Sequence, residues 1–295
     1  MTKFGETGSE VAEVQKLLSL LGYDLIVDGV FGKKTLRSIR SFQKKYNLTQ
    51  DGIVGNKTLM ALKLAQKKST KPIHSSILKI DYQNLMVNTN YSLPSSQFIK
   101  QITDKKQIFI HFTAGNPSAK NTIRYWGSNE SKVATAFVID GDTGEIFQAF
   151  HPDYWGWHLG IKGTKGKLDK QSIGIEICAF GPLKKKNDKY YAWPSNWNKE
   201  IPEKEVYKLE KKFRGYNYFH AYTEKQLESL EKLLRFLINK YNITVQANFD
   251  ETWFDYKPEL IKNATPGIWT HVNVRKDKTD SYPDKRLLKI LNNLK

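Results

Sequence analysis

The chain has 295 residues, of which 39% are hydrophobic and 13% aromatic, enough for two domains with packed cores. This composition excludes a disordered chain. The single cysteine, Cys178, excludes a disulfide scaffold and a cysteine-ligated structural zinc site, so any metal must be held by His, Asp or Glu. The formal net charge of +17 favours a polyanionic partner: nucleic acid, an anionic membrane or an anionic cell wall.

The N-terminus has no apolar stretch of the kind that a signal peptide needs, so we expect synthesis in the cytoplasm without a signal peptide. No apolar run reaches the roughly 18 residues that a membrane span requires. We therefore expect no membrane span, and action outside the cell would need another route of release. The oligomeric state is left open by the sequence.

Residues 1–66 contain an internal repeat, because DGVFGKKT at 28–35 recurs as DGIVGNKT at 51–58. In each copy, Asp-Gly is typical of a turn and the second Gly permits a tight entry into a helix. Apolar residues at helical spacing lie before, between and after the two copies. These stripes are Val11, Val14, Leu17, Leu18 and Leu21, then Leu36, Ile39, Phe42 and Tyr46, then Leu59, Leu62 and Leu64. The pattern predicts a small three-helix domain.

The repeat, together with VQKLL at 14–18 and Phe42-Gln43, resembles the peptidoglycan-binding module found at the ends of cell-wall hydrolases. The similarity covers nearly the whole of residues 1–66 and implies wall binding by this domain. Taken one by one, its Gly and Asp residues need do no more than shape turns.

Residues 67–84 are polar, basic and interrupted by Pro72, which predicts a linker before a second domain at 85–295. In that domain we predict strands at 108–112, 133–139 and 145–150, with a helix at 119–126 and a turn at 140–144. A strand at 171–178 carries Glu176 on the face opposite its isoleucines, where a carboxyl group is costly to bury without a use.

Residues 181–222 have no clear period, so we predict a long irregular excursion there. A capping box at Thr223 begins a long amphipathic helix, and residues 242–245 are predicted to return to the sheet. A last helix is predicted at 285–294. The mixed order of strands and helices predicts an α/β domain with a central mixed sheet.

Two of the six histidines, His111 and His271, have sequence contexts that suit metal binding. His271 precedes Asp280 by nine positions on a segment that we predict to be an irregular loop, and this pair can hold one divalent metal from two sides. A catalytic zinc usually takes three protein ligands and a water molecule. His111, at the end of an apolar strand, is the best candidate for the third ligand, and His158 is the alternative if His111 is structural.

Four motifs resemble the zinc-dependent N-acetylmuramoyl-L-alanine amidases, a family that includes phage lysozymes of the amidase type and is related to peptidoglycan recognition proteins. They are IHFTAG at 110–115, WHLG at 157–160, SIGIE at 172–176 and the segment from His271 to Asp280. The similarity covers residues 105–285. It implies a central mixed sheet flanked by helices, with one zinc ion in a surface cleft.

The resemblance also implies roles for individual residues. His111, His271 and Asp280 would be the zinc ligands, and Glu176 and Lys278 the catalytic pair. Amide hydrolysis suits these residues, since a glutamate can move the proton of a water molecule and a lysine can stabilise an oxyanion. Read alone, Lys278 would be a solvated lysine and Glu176 a member of a structural ion pair.

The aromatic residues near these motifs have two readings. His158, Trp157 and Trp126 are candidates for substrate contacts, because tryptophan and histidine rings can stack on sugar or peptide. The tryptophans suit a packing role as well.

Three functional hypotheses follow. The leading one is a wall hydrolase, a phage or prophage endolysin that acts on peptidoglycan after host lysis and cuts the amide between N-acetylmuramic acid and L-alanine. The alternative is a non-catalytic peptidoglycan recognition protein of the same fold, which would be expected to have a broken ligand set. Nucleic-acid binding is suggested by charge alone, without a motif, and we expect no such partner. The host and its peptidoglycan chemotype stay open.

Overall fold

The structure is a computed structural model that describes residues 2–21, 23, 25, 27–68, 82, 85–128, 131–192 and 199–294. The chain divides into two compact units, Met1–Lys79 and Ile80–Lys295. Most of the predicted linker at 67–84 lies outside the described residues. Among the helices in these ranges, none combines the length and the apolar character needed to cross a membrane.

The first unit contains the three predicted helices. These are α1 (Ser9–Leu20), α2 (Lys33–Lys45) and α3 (Asn56–Lys68). Their shared core consists of Val11, Val14, Leu17, Leu18, Phe31, Ile39, Phe42, Val54, Leu62 and Ala65. The third apolar stripe was wrong at Leu64, which is 53% exposed, because Ala65 rather than Leu64 occupies the buried side of α3.

In each copy of the internal repeat, a buried glutamine side chain forms hydrogen bonds with the turn and with the start of the following helix. The side-chain carbonyl of Gln15 accepts a hydrogen bond from the Gly29 N–H at 2.8 Å. Its amide nitrogen donates to Asp28 Oδ1 at 2.7 Å and to Thr35 Oγ1 at 3.1 Å. One side chain thus closes the turn and fixes the helix start that follows it.

Gln43 makes the same set of bonds in the second copy. Its carbonyl accepts from the Gly52 N–H at 2.9 Å, and its amide donates to Asp51 Oδ1 at 2.8 Å and Thr58 Oγ1 at 3.3 Å. Gly52 has φ of +77°, in the left-handed region that favours glycine. The repeat in sequence is therefore also a repeat in hydrogen bonding.

The second unit is an α/β structure. Its strands are β1 (Val87–Asn88), β2 (Gln107–Phe112), β3 (Phe137–Ile139), β4 (Ile146–Gln148), β5 (Ser172–Ile177), β6 (Leu183–Lys186), β7 (Lys189–Ala192), β8 (Glu200–Ile201), β9 (Val206–Phe213), β10 (Tyr216–His220) and β11 (Gly267–Thr270). Its helices are α4 (Ala119–Ser128), α5 (Lys167–Gln171), α6 (Glu224–Tyr241), α7 (Pro258–Asn263), α8 (His271–Val274) and α9 (Lys285–Asn292). Short 3₁₀ turns occur at Ser95–Gln97, Glu203–Glu205 and Glu251–Phe254.

The main sheet has the strand order β1-β4-β3-β5-β2-β11 among the described residues. The β3–β4 pair is antiparallel and the other pairs are parallel, which confirms the predicted mixed sheet. Strands β2 and β5 are apolar runs buried along almost their whole length, as expected for the middle of a sheet covered on both faces. The predicted capping box is present, with Thr223 and Gln226 bonding reciprocally at the start of α6.

The prediction of an irregular excursion at 181–222 was wrong. Strands β6, β7 and β8 form a three-stranded antiparallel sheet, and β9 pairs with β10 in a hairpin. Much of this segment is exposed, so lysines and tyrosines occupy the strands without the apolar alternation that marks a half-buried strand. Residues 193–198 of this segment lie outside the described residues.

Three shorter predictions also need correction. The strand predicted at 133–139 is confined to β3, and Val133 makes only an isolated bridge to Trp157. Residues 242–245 do not join the sheet, because the backbone N–H of Ile243 bonds back to the end of α6 at Ile238. The segment from His271 to Asp280 is irregular only after Val274, because β11 leads directly into the short helix α8 at its start.

Candidate active site

Three adjacent strands bring the predicted site residues into one row. His111 of β2 pairs in register with Glu176 of β5. On the other side of β2, Thr270 of β11 pairs with Ile110, so His271, the next residue, lies beside His111. This row is at the carboxyl end of parallel strands, where binding sites of open α/β sheets form.

His111, His271 and Asp280 converge on a single point. Both imidazoles direct Nδ1 at the same carboxylate oxygen, Asp280 Oδ2, at 2.9 Å from His111 and 3.0 Å from His271. All three residues are buried, and their three ligand atoms lie within 4.8 Å of one another. Residues far apart in sequence, on β2, α8 and the segment before α9, thus present two nitrogens and one oxygen to a common centre.

The far nitrogen of His271 indicates that this centre suits a cation. His271 Nε2 lies 2.9 Å from the carbonyl oxygen of Leu159, which only accepts hydrogen bonds, so Nε2 carries the proton. In a neutral imidazole, Nδ1 is then an unprotonated acceptor facing another acceptor on Asp280. A divalent cation between the two acceptors would be coordinated by both of them. A metal-binding histidine usually donates its other ring N–H to an acceptor such as a backbone carbonyl, as His271 does here.

His158 lies behind His111 and is not placed as a ligand. Its Nδ1 is 3.0 Å from His111 Nε2, and its own Nε2 is 2.9 Å from Ser172 Oγ. The alternative in which His158 replaces His111 in the ligand set is therefore not favoured. His158 instead fixes the orientation of the His111 ring, and Ser172 fixes His158.

Burial and neighbouring charges set the protonation of the cluster. Burial lowers the pKa of His111 against the opposing effect of Asp280, and it lowers the pKa of His158 still further. Burial acts to raise the pKa of Asp280, but His271 and His111 outweigh it and hold that pKa well below its usual range. The His111 and His158 imidazoles are thus favoured as neutral rings and Asp280 as a carboxylate, the forms that bind metals.

Glu176 and Lys278 are beside the cluster. Oε2 of Glu176 is buried and, among the described residues, has no hydrogen-bond partner. Burial raises the pKa of Glu176 well above its usual value, Asp280 raises it further, and the positive charge of Lys278 lowers it. Lys278 is half-buried, and its charge also lowers the pKa of His111. A buried carboxyl group without a hydrogen-bond partner among the described residues and a nearby lysine therefore flank the candidate metal position.

The two tryptophans differ in placement. Trp157 is half-buried next to His158, and its ring meets Trp155 edge-on with centroids 5.1 Å apart. Trp126 is only 8% exposed and belongs to the main hydrophobic core. The structure gives Trp126 a packing position, which does not support the predicted substrate contact.

The carbonyl of Leu159 and the hydroxyl of Ser172 were not identified as supporting groups from the sequence. Both lie inside motifs that we noted, WHLG and SIGIE, but a hydrogen bond to a backbone carbonyl or with a small hydroxyl leaves no recognisable spacing in the sequence. Only the fold brings these groups to the histidines.

Comparison with known proteins identifies the family of each unit. The family described as N-acetylmuramoyl-L-alanine amidase matches residues 102–283, more than half of the chain. The protein therefore belongs to the N-acetylmuramoyl-L-alanine amidase family. Residues 7–62 match a second family, described as a peptidoglycan binding domain.

Two curated relatives come from Bacillus subtilis (strain 168). The N-acetylmuramoyl-L-alanine amidase CwlA is 33% identical over 96 residues, which is 32% of this chain and 33% of CwlA. The N-acetylmuramoyl-L-alanine amidase XlyB is 35% identical over 98 residues, 32% of this chain and 28% of XlyB. The aligned segments thus span about a third of each relative.

Similar solved structures include PlyL, at 16% identity and a TM-score of 0.40, covering 72% of this chain and 96% of PlyL. The SleB N-terminal domain is 39% identical with a TM-score of 0.22, covering 22% of this chain and 90% of that domain.

Proposed function

We propose that the protein is a zinc-dependent hydrolase that cuts the amide bond between N-acetylmuramic acid and the L-alanine of the peptidoglycan stem peptide. The observation that carries this proposal is the convergence of His111 Nδ1, His271 Nδ1 and Asp280 Oδ2 beside the unpartnered carboxyl of Glu176. Membership of the amidase family supports the choice of bond.

Zinc accepts two imidazole nitrogens and one carboxylate oxygen and keeps a fourth position open in catalytic sites. When bound, zinc supplies a Lewis acid that polarises the scissile carbonyl and acidifies a water molecule. The role of the protein is to hold these three ligands in neutral or anionic form and to orient them from behind.

Glu176 and Lys278 divide the remaining work. Glu176 Oε2 accepts the proton of the attacking water and returns it to the leaving amine, a role that its raised pKa and lack of a partner suit. The ammonium of Lys278 stabilises the negative charge that develops on the carbonyl oxygen. Trp157 and His158 border the same region, and Trp157 is the candidate among the tryptophans for substrate contact.

The first unit is proposed to bind peptidoglycan and to keep the hydrolase at its substrate. Tethering of this kind raises the effective substrate concentration without any new contact in the active site. Its match to a peptidoglycan binding domain family supports this role. Action at the cell wall follows from the same substrate; release at host lysis stays a prediction.

A non-catalytic peptidoglycan receptor of the same fold is the second candidate. A receptor needs no intact ligand set, whereas here both imidazoles, the carboxylate, Glu176 and Lys278 lie together. The net charge alone suggests nucleic-acid binding, and the site offers no support for it.

The test uses purified bacterial walls and detects newly released N-terminal alanine by amine labelling. We expect the protein to release alanine, to stop after treatment with a chelator, and to recover when zinc is returned. His271→Ala should bind walls without releasing alanine. Sedimentation of the wild type with walls but without alanine release would favour the receptor and contradict the hydrolase.

A further inference from the structure

One dipeptide orients both metal-binding imidazoles. The side chain of His158 contacts His111 Nε2 at 3.0 Å, and the carbonyl of the next residue, Leu159, contacts His271 Nε2 at 2.9 Å. The position of the 158–159 backbone therefore determines where both rings point. A group that fixes this backbone therefore also fixes the orientation of both imidazoles.

Asp169 holds it. Asp169 Oδ1 accepts the backbone N–H of His158 at 2.9 Å and the backbone N–H of Leu159 at 3.0 Å. Asp169 is 1% exposed, in the short helix α5 that leads into β5. Its other oxygen, Oδ2, is buried and has no hydrogen-bond partner among the described residues. Both of the bonds made by this buried carboxyl thus go to the orienting dipeptide.

The packing around the dipeptide depends on two glycines. Gly166 precedes α5 with φ of +71°, and a Cβ there would lie 2.8 Å from the Trp157 ring. A Cβ on Gly174 of β5 would lie 3.1 Å from His158 Nδ1. The loop bearing His158 therefore fits closely against α5 and β5, which brings the N–H groups within reach of Asp169.

We propose that Asp169 is a positioning residue that sets the metal affinity of the His111–His271–Asp280 cluster by fixing the backbone of residues 158 and 159. The proposal rests on the proposed function in that the cluster binds zinc. Asp169 acts through hydrogen-bond acceptance at Oδ1. Its charge is not required, because Oδ2 makes no bond that an amide group would break.

Four variants of the full chain separate hydrogen-bond acceptance by Asp169 from its charge and from general destabilisation. Asp169→Ala removes the acceptor, whereas Asp169→Asn keeps a carbonyl oxygen at Oδ1. Asp140→Ala is the matched control, since the Asp140 carboxylate also accepts backbone N–H bonds, from Ala119 at 2.9 Å and Thr143 at 3.2 Å, in a turn of the same unit. Asp169→Ser, with a hydroxyl too short to serve both N–H groups, repeats the test if the alanine variant does not fold.

The measurement is the dissociation constant for zinc alone, by competition with a chromophoric chelator, together with the thermal stability of the metal-free protein. Outer-shell changes typically cost about 10- to 100-fold in metal affinity, and we expect a loss in that range for Asp169→Ala. Asp169→Asn and Asp140→Ala should stay close to the wild type. Nuclear magnetic resonance of the metal-free protein should show the Nε2-protonated tautomer of His271 in the wild type and a mixture of tautomers in Asp169→Ala.

Equal zinc affinity in the wild type and Asp169→Ala would overturn the proposal and leave the proposed function intact. Equal losses in Asp169→Ala and Asp140→Ala would also overturn it, because general destabilisation would then explain both. A loss of zinc affinity in Asp169→Asn as large as in Asp169→Ala would overturn it too, because the negative charge and not hydrogen-bond acceptance at Oδ1 would then matter. A wild type that binds no zinc would refute the metal-dependent function itself.

Discussion

At the scale of single residues, the two nitrogens of each histidine have separate tasks. In His111 and His271 alike, Nδ1 faces Asp280, while Nε2 is held by His158 or by the Leu159 carbonyl. Strand position indicated His111, and the nearby carboxylate indicated His271. Neither sequence feature tells which ring nitrogen faces Asp280, because that depends on hydrogen-bond partners that are distant in sequence and adjacent only in the fold.

Glu176→Gln is expected to lower the rate of alanine release by about 10²- to 10⁴-fold, the usual contribution of general acid–base catalysis. Glutamine keeps the size of the side chain but cannot take up the proton. Zinc content should be unchanged, since Glu176 is not a proposed ligand. The measurement is turnover of a soluble muropeptide beside metal analysis; near-normal turnover in a folded, zinc-loaded variant would refute the role of Glu176.

Lys278→Met is expected to lower the rate by about 10²- to 10³-fold, as removal of one group that stabilises an oxyanion typically does. Lys276→Met is the control in the same segment, because Lys276 is exposed and its Nζ lies 4.9 Å from the ring centroid of Tyr256. The same muropeptide assay compares the two variants. Equal effects of both substitutions would indicate a general influence of charge and not a specific contact.

At the scale of elements, sequence reasoning succeeded where burial produces a strong pattern. Strands β2 and β5 are rich in buried isoleucine and phenylalanine, and α6 has both a capping box and a regular apolar face. Strand β11 was missed because its four residues, Gly267–Thr270, are too few to show a period. The sheets at 183–220 were missed because their exposed faces accept lysine and tyrosine freely.

Lys105 joins three segments of the second unit, and its burial predicts how the stability of the protein depends on pH. It is 3% exposed, and its Nζ donates to the carbonyls of Tyr154 at 2.8 Å and Lys170 at 3.0 Å. Burial lowers the pKa of Lys105 to about 7, with Asp153 acting in the opposite direction. The unfolded chain, with a lysine pKa of about 10.4, binds the proton more readily over the interval between these values.

Because the unfolded state holds more protons there, the contribution of Lys105 to stability rises with pH, by about 1.4 kcal/mol per unit. We expect the free energy of unfolding of the wild type, relative to Lys105→Met, to increase from pH 7.5 to pH 9.5. Urea unfolding followed by tryptophan fluorescence measures this, since all seven tryptophans lie in the second unit. A difference independent of pH would contradict the lowered pKa.

At the scale of the whole molecule, the sequence predicted a small three-helix domain followed by an α/β amidase domain with a central mixed sheet. The net charge of +17 is a property of the complete chain. Such a charge acts over a distance and favours approach to an anionic wall without selecting the bond that is cut.

Salt should therefore weaken wall association more than catalysis. The screening length falls from about 30 Å at 0.01 M salt to about 3 Å at 1 M. We expect less protein to sediment with purified walls at the higher salt, with some binding left from the direct contacts of the first unit. Turnover of a small soluble muropeptide serves as the control and should change much less; sedimentation that is the same at both salts would refute the role of charge.

The central claim is that His111, His271 and Asp280 together hold zinc. X-ray absorption at the zinc edge of the loaded protein tests it most directly, because it reports the ligands themselves. We expect nitrogen and oxygen ligands at about 2.0 to 2.2 Å with the scattering of two imidazoles. A sulfur ligand at about 2.3 Å, which would bring in Cys178, would contradict this ligand set, as would a His271→Ala variant with an unchanged spectrum.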